Sequence, residues 1–228
     1  MGYTDKTKIC IARTDIIDEC LFNAFYEKVS EERRVRTDAY RFDKDRRLSL
    51  GAEILLTETL RRYGFDPKDG FRLGKGENGK PYLDGQDDIY FNLSHSGDYV
   101  MCAVSDRDIG CDIQKTERMN LKTAERFFLK QEYETITGQE SDEKIRDMFF
   151  RYWVLKECFL KVTGRGLAMP LNSFEIITGD EVSIVQNYDN RNYYFREFSL
   201  DGYKAAVCTA DRICDADIEE IDLRNARI

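Results

Sequence analysis

The same order of predicted elements occurs twice along this 228-residue chain. Each half starts with an apolar strand-like run, continues through a shorter and then a longer stretch of helical periodicity, and finishes in predicted hairpins. The predicted helices span 15–29 and 44–63 in the first half, and 121–137 and 142–163 in the second. We therefore predict an α+β protein of two similar lobes packed tightly together, an N-terminal lobe at 1–107 and a C-terminal lobe at 108–228.

The composition argues against several classes of protein. A net charge of -8 disfavours general nucleic-acid binding, which needs a basic surface to neutralise phosphates. No run of about 18 apolar residues is present, and the first residues lack the basic flank and apolar stretch of a signal peptide. Seven scattered cysteines without a C-x-x-C pair indicate reduced core thiols rather than a zinc site or a disulfide scaffold. We expect a cytoplasmic protein with neither a membrane nor a nucleic-acid partner.

A basic segment at 31–47 contains seven arginines and lysines together with five acidic side chains. Mixed charges at helical spacing are typical of a solvated helix face, which is the first interpretation. A local patch for a polyanionic ligand is the alternative.

The glycine-rich stretch at 70–85 predicts a hairpin; it is not a Walker A loop, because Pro81 follows Lys80 where that motif needs Ser or Thr.

Asp112 lies inside an apolar strand-like run at 109–113, where a charged side chain is unexpected. Burying a carboxylate is costly unless it meets a partner or a metal ion. Strand alternation places Gly110, Asp112 and Gln114 on one face. Carboxylate and amide oxygens suit Mg²⁺, so this face is a candidate metal site. The alternative is an aspartate at a strand edge that caps the following turn.

The predicted helix at 142–163 carries a second polar face beside its apolar stripe. Trp153, Glu157 and Lys161 follow one another at four-residue spacing and therefore share this face. A glutamate one turn before a lysine is common on ordinary surface helices. Spacing alone therefore does not assign a function to the pair.

His95 is the only histidine, and it lies in a polar stretch at 94–98 between two predicted strands. A turn of this composition offers hydroxyls, backbone N–H groups and an imidazole, which together predict a phosphate cradle. A Ser-His-Asp triad is disfavoured because no G-x-S-x-G motif is present, and because Ser94 and His95 would point to opposite faces if the strand continued. A hydrogen-bonded turn histidine is the remaining alternative.

Three segments together resemble the signature blocks of the Sfp-type 4′-phosphopantetheinyl transferases: FNLSHSG at 91–97, IGCDI at 109–113 and WVLKECFLK at 153–161. Their order and separations also match, and the resemblance extends over roughly residues 28 to 210. It implies a two-lobed α+β pseudodimer that binds coenzyme A between its lobes. It also implies transfer of the phosphopantetheine arm to a serine of an apo acyl or peptidyl carrier protein, with release of 3′,5′-ADP.

The resemblance assigns roles to individual residues. Asp112 and Glu157, in the C-terminal lobe, would coordinate Mg²⁺ on the pyrophosphate of coenzyme A, Ser94 and His95 would contact its phosphate, and Lys161 would lie close to the transferring phosphoryl group. Basic side chains at four further positions would hold the nucleotide end: Arg33, Arg36, Arg47 and Lys80. Glu157, Lys161 and His95 are the predicted catalytic residues.

Gln114 departs from the family pattern, in which many members have glutamate two residues after the aspartate. Gln114 is predicted as a third ligand, and its neutral amide should weaken the metal site. Either Glu157 or a water molecule polarised by it and the metal would remove the proton from the carrier serine. A monomer is expected, and fatty-acid, polyketide and nonribosomal-peptide carriers are all allowed.

Overall fold

The computed structural model describes residues 6–65, 71–211 and 214–227. The first residues of the chain, which underlie the expectation about a signal peptide, lie outside these ranges. In the first half the elements are β1 (Lys8–Arg13), α1 (Glu19–Lys28), α2 (Glu31–Asp38), α3 (Asp43–Tyr63), β2 (Leu73–Lys75), β3 (Pro81–Leu83), β4 (Tyr90–Ser96) and β5 (Tyr99–Ser105). The basic segment thus forms α2 and the start of α3.

The second half repeats the arrangement of the first. Its elements are β6 (Ile109–Lys115), α4 (Leu121–Phe127), α5 (Lys130–Thr137), α6 (Asp142–Thr163), β7 (Glu175–Ile177), β8 (Ser183–Val185), β9 (Tyr193–Leu200), β10 (Tyr203–Ala210) and β11 (Ile218–Glu220). In each half the first strand and the last hairpin form an antiparallel sheet, in the order β1-β5-β4 and β6-β10-β9 respectively. The predicted α+β fold with two similar lobes is confirmed.

Within the described residues, strand alternation divides the apolar core into three clusters. In β5, Val100 and Cys102 pack with α3 on the outer face of the first sheet. Met101, on the opposite face, packs in a central cluster with β6 residues such as Ile109 and Cys111. The outer face of the second sheet packs against α6. The lobes therefore stack as helix, sheet, sheet and helix, with the two sheets in apolar contact.

Two predicted helices differ from the structure. The helix expected at 15–29 begins at Glu19, because the Asp18 side chain caps it by accepting the N–H of Leu21. The helix expected at 121–137 is interrupted, since Phe128 turns into the core and Glu132 accepts the N–H of Leu129. Periodicity alone does not show such a break, because both pieces have an apolar face.

The third difference concerns the end of the chain. Strand β11 pairs in parallel with β1, with Ile9 opposite Ile218, so it belongs to the first sheet. Its residues nevertheless fall within 108–228, the segment expected to form the C-terminal lobe. None of the seven cysteines, all of which lie in the described ranges, forms a disulfide, and six of them are buried, as the reduced-thiol interpretation expects; Cys20 is exposed. No helix in the described part of the chain has the length and apolar character needed to cross a bilayer.

Candidate active site

The site is built where α6 lies directly on β6. A Cβ placed on Gly110 would lie 2.2 Å from the carbonyl oxygen of Cys158 and 2.5 Å from the backbone nitrogen of Val162. Only the absence of a side chain at Gly110 allows the two backbones to approach so closely. The polar face of α6 is thereby brought against the face of β6 that carries Asp112.

Asp112 is almost fully buried, with 5% of its surface exposed. Its Oδ1 atom accepts hydrogen bonds from Lys161 Nζ at 2.6 Å and from Ser94 Oγ at 2.7 Å. Its Oδ2 atom is buried and has no hydrogen-bond partner. A buried carboxylate oxygen without a partner is costly, and it indicates a position where a cation belongs.

Glu157 and Lys161 lie one turn apart on α6, and Asp112 raises the pKa of both, which disfavours the charged form of Glu157 and favours that of Lys161. Burial, followed by the negative charge of Asp112, raises the pKa of Glu157 above its usual value. Burial lowers the pKa of Lys161, but the charge and hydrogen bond of Asp112 outweigh this and leave the pKa above its usual value. The ammonium also donates to the carbonyl of Cys111 at 3.0 Å. Lys161 therefore stays charged beside two carboxyl groups.

The third residue of the predicted polar face has a packing role. Trp153 packs with Phe128 and Phe149, with ring centroids 6.3 and 6.0 Å away.

Gln114 is half-buried on β6, on the face predicted from alternation. Its role as a metal ligand stays a prediction.

The turn expected at 94–98 is shorter than expected. Strand β4 continues through Ser96 and pairs with β5, so the backbone of His95 lies opposite Val100. The turn itself is made by Gly97, at φ +59°, and Asp98. The hydroxyls and the imidazole of this segment therefore lie largely on a strand rather than in an open turn, and the predicted phosphate cradle stays a prediction.

Because the strand continues, Ser94 and His95 point to opposite faces. Ser94 is buried against Asp112, whereas His95 is exposed and lines a cavity. Desolvation by the cavity walls, then the positive charge of Lys161, lowers the pKa of His95. His95 is therefore a neutral imidazole near neutral pH, which can donate a hydrogen bond from one ring nitrogen.

The cavity beside His95 has a volume of about 590 Å³ and lies between α2, α3 and the β2–β3 hairpin. Two of the predicted nucleotide-binding residues line it, Arg33 and Arg36. Arg33 is buried and forms an ion pair with Glu53 at 2.9 Å, whereas Arg36 is exposed. A volume of this size is typical of sites for a cofactor-sized ligand.

The other two predicted nucleotide-binding residues lie elsewhere. Arg47 is half-buried on α3 and is not among the residues that line this cavity. The ammonium of Lys80 donates to the carbonyls of Ile109 and Val162, at 3.2 and 3.1 Å. Lys80 therefore reaches from the hairpin of the first lobe to β6 and the end of α6. Contact of either residue with a nucleotide stays a prediction.

Sequence reasoning missed several residues that line the cavity. Lys75 is exposed on the hairpin, beside Arg72 and Phe71, and Tyr40 follows α2. The available signal is the pair of basic residues Arg72 and Lys75 inside the glycine-rich stretch, for which the sequence predicts only a hairpin. Only the fold shows that this hairpin faces the basic helix α2, as the 3.0 Å ion pair of Lys75 with Glu32 records.

The residues around Asp112 fit a magnesium ion. Among the described residues, no group of three or more His, Cys, Asp or Glu side chains forms an all-protein metal site. Mg²⁺ does not need one, because it takes one or two carboxylates and completes its shell with water and substrate phosphates. Asp112 and Glu157 offer two carboxylates, and Asp112 Oδ2 is a buried oxygen without a hydrogen-bond partner.

Comparisons with known proteins give matches in both halves of the chain. A family model described as the 4′-phosphopantetheinyl transferase superfamily matches residues 108–208. A second model, described as 4′-phosphopantetheinyl transferase, N-terminal, matches residues 18–107. The two matches together cover most of the chain, including every residue of the candidate active site.

Curated relatives carry the same description. The chain is 36% identical to 4′-phosphopantetheinyl transferase Sfp of Bacillus subtilis over 190 residues, covering 82% of this chain and 84% of that protein. It is 32% identical to 4′-phosphopantetheinyl transferase gsp of Aneurinibacillus migulanus, covering 85% and 81%. It is also 32% identical to L-aminoadipate-semialdehyde dehydrogenase-phosphopantetheinyl transferase of Xenopus laevis, covering 64% and 53%. The chain therefore belongs to the 4′-phosphopantetheinyl transferase superfamily and is an enzyme of that type.

Proposed function

We propose that this enzyme transfers the 4′-phosphopantetheine arm of coenzyme A to a serine of an apo acyl or peptidyl carrier protein, with Mg²⁺ held by Asp112 and Glu157. One observation carries the proposal: the buried Asp112 carboxylate has one oxygen without a partner beside Glu157 and Lys161, close to the cavity that His95 lines. Coenzyme A has its pyrophosphate between a nucleotide and a pantetheine arm. Its two parts therefore suit a site in which a carboxylate centre adjoins a nucleotide-sized cavity.

In the proposed reaction the serine oxygen attacks the β-phosphorus of coenzyme A. A new P–O bond forms to the carrier, the P–O bond to the nucleotide breaks, and 3′,5′-ADP leaves with the bridging oxygen. When bound, Mg²⁺ neutralises charge on the pyrophosphate oxygens. Lys161, fixed by Asp112 and the Cys111 carbonyl, provides a permanent positive charge close to the phosphoryl group.

The proton of the carrier serine needs an acceptor. Glu157 is our candidate, acting directly or through a water molecule that it orients. Burial raises the pKa of its carboxyl group, which makes Glu157 a stronger base than an exposed glutamate. His95, kept neutral by its surroundings, is our candidate hydrogen-bond donor to a phosphate oxygen.

The cavity supports binding of the nucleotide end. Arg36 and Lys75 are exposed on opposite walls and can approach a phosphate group. Phe71 and Tyr40 also line the cavity and offer flat faces for a base. The charge of Arg33 is already balanced by Glu53, so we propose that Arg33 stabilises the cavity wall as well as contacting the ligand. Both walls come from one chain, and we propose a monomeric enzyme.

The test is to incubate the enzyme with coenzyme A, Mg²⁺ and a panel of apo carrier proteins from fatty-acid, polyketide and nonribosomal-peptide synthesis. Mass spectrometry of each carrier should show the added phosphopantetheine group. The Asp112→Asn variant and an EDTA-treated sample are the controls, and both should leave the carrier unmodified. No mass gain on any carrier would contradict the transfer, and a full gain in EDTA would contradict the metal requirement.

A further inference from the structure

The lobes meet along strands β4 and β6 through a row of side-chain hydrogen bonds. Alternate side chains of β4 accept backbone N–H groups of β6: Asn92 Oδ1 from Cys111 at 2.9 Å, Ser94 Oγ from Ile113 at 3.3 Å, and Ser96 Oγ from Lys115 at 3.0 Å. Both strands advance by two residues between successive bonds. The row therefore sets the register of β4 against β6, and with it the position of Ser94 relative to Asp112.

Ser94 differs from its neighbours in the row because it also donates. Its hydroxyl hydrogen bonds to Asp112 Oδ1 at 2.7 Å, while its oxygen accepts the Ile113 N–H. A hydroxyl has one hydrogen to donate, so this bond uses the whole donor capacity of Ser94. Ser94 is also buried, with 7% of the residue exposed. Both facts argue against direct donation from Ser94 to a phosphate of coenzyme A, the role that the family resemblance implies.

The hydrogen bond from Ser94 helps to fix the orientation of the Asp112 carboxylate. Ser94 and Lys161 approach the same oxygen of Asp112 from different elements, β4 and α6. With Oδ1 held at two points, rotation of the carboxylate is restricted and Oδ2 is kept in its buried position without a protein partner. Groups that orient a ligand in this way commonly control the affinity of a metal site.

We propose that Ser94 is a positioning residue that orients Asp112 so that Oδ2 faces the metal ion. This inference rests on the proposed function, because it assumes that Asp112 is a metal ligand. It assigns to the first lobe a direct part in building the metal site of the second. Within the β4–β6 row, Ser94 then fixes the carboxylate of Asp112, whereas Asn92 and Ser96 bond only the backbone of β6.

The test measures metal affinity rather than turnover. Mn²⁺ binding to the full-length enzyme is followed by electron paramagnetic resonance with saturating coenzyme A and no carrier protein. We expect Ser94→Ala to weaken Mn²⁺ binding about 10–100-fold. The matched control is Ser96→Ala, which loses a bond of the same kind to Lys115 but does not touch Asp112. This variant should bind Mn²⁺ like the wild type.

Two further measurements separate orientation from other effects. Calorimetric titration with coenzyme A in EDTA should give the same affinity for Ser94→Ala and the wild type, since the hydroxyl does not contact the ligand. Ser94→Thr keeps a hydroxyl and should restore most of the Mn²⁺ affinity. Thermal unfolding followed by circular dichroism shows that each variant is folded.

Each contrary result has a defined meaning. Equal Mn²⁺ affinity in Ser94→Ala and the wild type would overturn the inference, and so would a loss in Ser94→Thr as large as that in Ser94→Ala. Weaker coenzyme A binding in EDTA, with unchanged Mn²⁺ affinity, would overturn the inference and indicate that the Ser94 hydroxyl contacts a phosphate of coenzyme A. A wild-type enzyme that binds no Mn²⁺ would instead overturn the metal part of the proposed function, and the inference with it.

Discussion

At the scale of single residues, the two oxygens of the Asp112 carboxylate have different surroundings. Oδ1 accepts two hydrogen bonds, from Lys161 and Ser94, whereas buried Oδ2 accepts none. An arrangement optimised for stability alone would satisfy both oxygens. The asymmetry is therefore better explained by a ligand. The neighbouring Glu157 adds a second carboxylate whose repulsion from Asp112 a bound cation would relieve.

The first prediction concerns the charge of Glu157. The pKa of Glu157 is higher in the folded protein than in the unfolded chain. At neutral pH, the charged carboxylate is therefore less favourable in the folded state, and this lowers the free energy of unfolding. The variant Glu157→Gln should therefore unfold at the same temperature or at a slightly higher one in EDTA. Its transfer rate should fall by at least about 100-fold, as for loss of a general base. Thermal unfolding and carrier mass gain test both parts, and a near-normal rate would remove Glu157 from the mechanism.

The second prediction concerns the basic helix α2. Arg36 lines the cavity and is exposed, so Arg36→Ala should raise the dissociation constant for coenzyme A about 10-fold, equivalent to about 1.4 kcal/mol. Arg34→Ala is the control, because Arg34 lies on the same helix but does not line the cavity. Calorimetric titration of both variants is the measurement. Equal weakening by the two would indicate a general effect of charge rather than contact.

At the scale of elements, catalytic geometry depends on how closely α6 lies on β6. Strand β6 has alternating residues, with Cys111 and Ile113 in the central cluster and Gly110 and Asp112 toward α6. A larger residue in place of Gly110 would separate the strand from the helix at the turn that carries Lys161. The glycine therefore connects local packing to the relative position of Asp112 and Lys161.

The third prediction tests this contact. Gly110→Ala should lower the free energy of unfolding by about 1–3 kcal/mol, since the added methyl group overlaps the backbone of α6. It should also reduce transfer by displacing Lys161 from Asp112. Gly179→Ala is the control, because a Cβ there would meet Glu181 at an ordinary 3.7 Å. Urea unfolding of both variants measures the difference, and a Gly110→Ala protein as stable as the wild type would contradict the role given to this glycine.

At the scale of the whole molecule, the site exists because the two lobes are joined in a defined register. The β4–β6 row provides one connection, and Lys80 provides another. The hairpin of the first lobe carries Lys80 to the backbone carbonyls of Ile109 and Val162 in the second. Burial lowers the pKa of Lys80, so the two carbonyls are important partners for its charged form.

The fourth prediction separates two lysines of the same hairpin. Lys80→Met should lower the free energy of unfolding by about 1–3 kcal/mol, because charged hydrogen bonds between the lobes are lost. Lys75→Met should leave stability unchanged and weaken coenzyme A binding, since Lys75 is exposed and lines the cavity. Urea unfolding and calorimetric titration are applied to both variants. A Lys80→Met enzyme with normal stability and weak coenzyme A binding would show that Lys80 contacts the nucleotide instead.

The sequence by itself determined the repeated order of elements, the apolar stripes of α3 and α6, and the unusual position of Asp112 in a buried strand. These features are local, because periodicity and the cost of burying a charge can be read from neighbouring residues. The spacing of Glu157 and Lys161 was equally clear. That they share one site with Asp112 came only from resemblance, since the residues are about 45 positions apart.

Only the tertiary structure decided which partners these residues meet. It showed that β4 continues through Ser94 and His95, that Lys80 binds backbone carbonyls, and that the end of the chain adds β11 to the first sheet. Each outcome depends on contacts between segments far apart in the chain, for which local patterns carry no signal. The side to which Ser94 points is set by pairing with β5 and by the β4–β6 row, and this makes it a neighbour of Asp112.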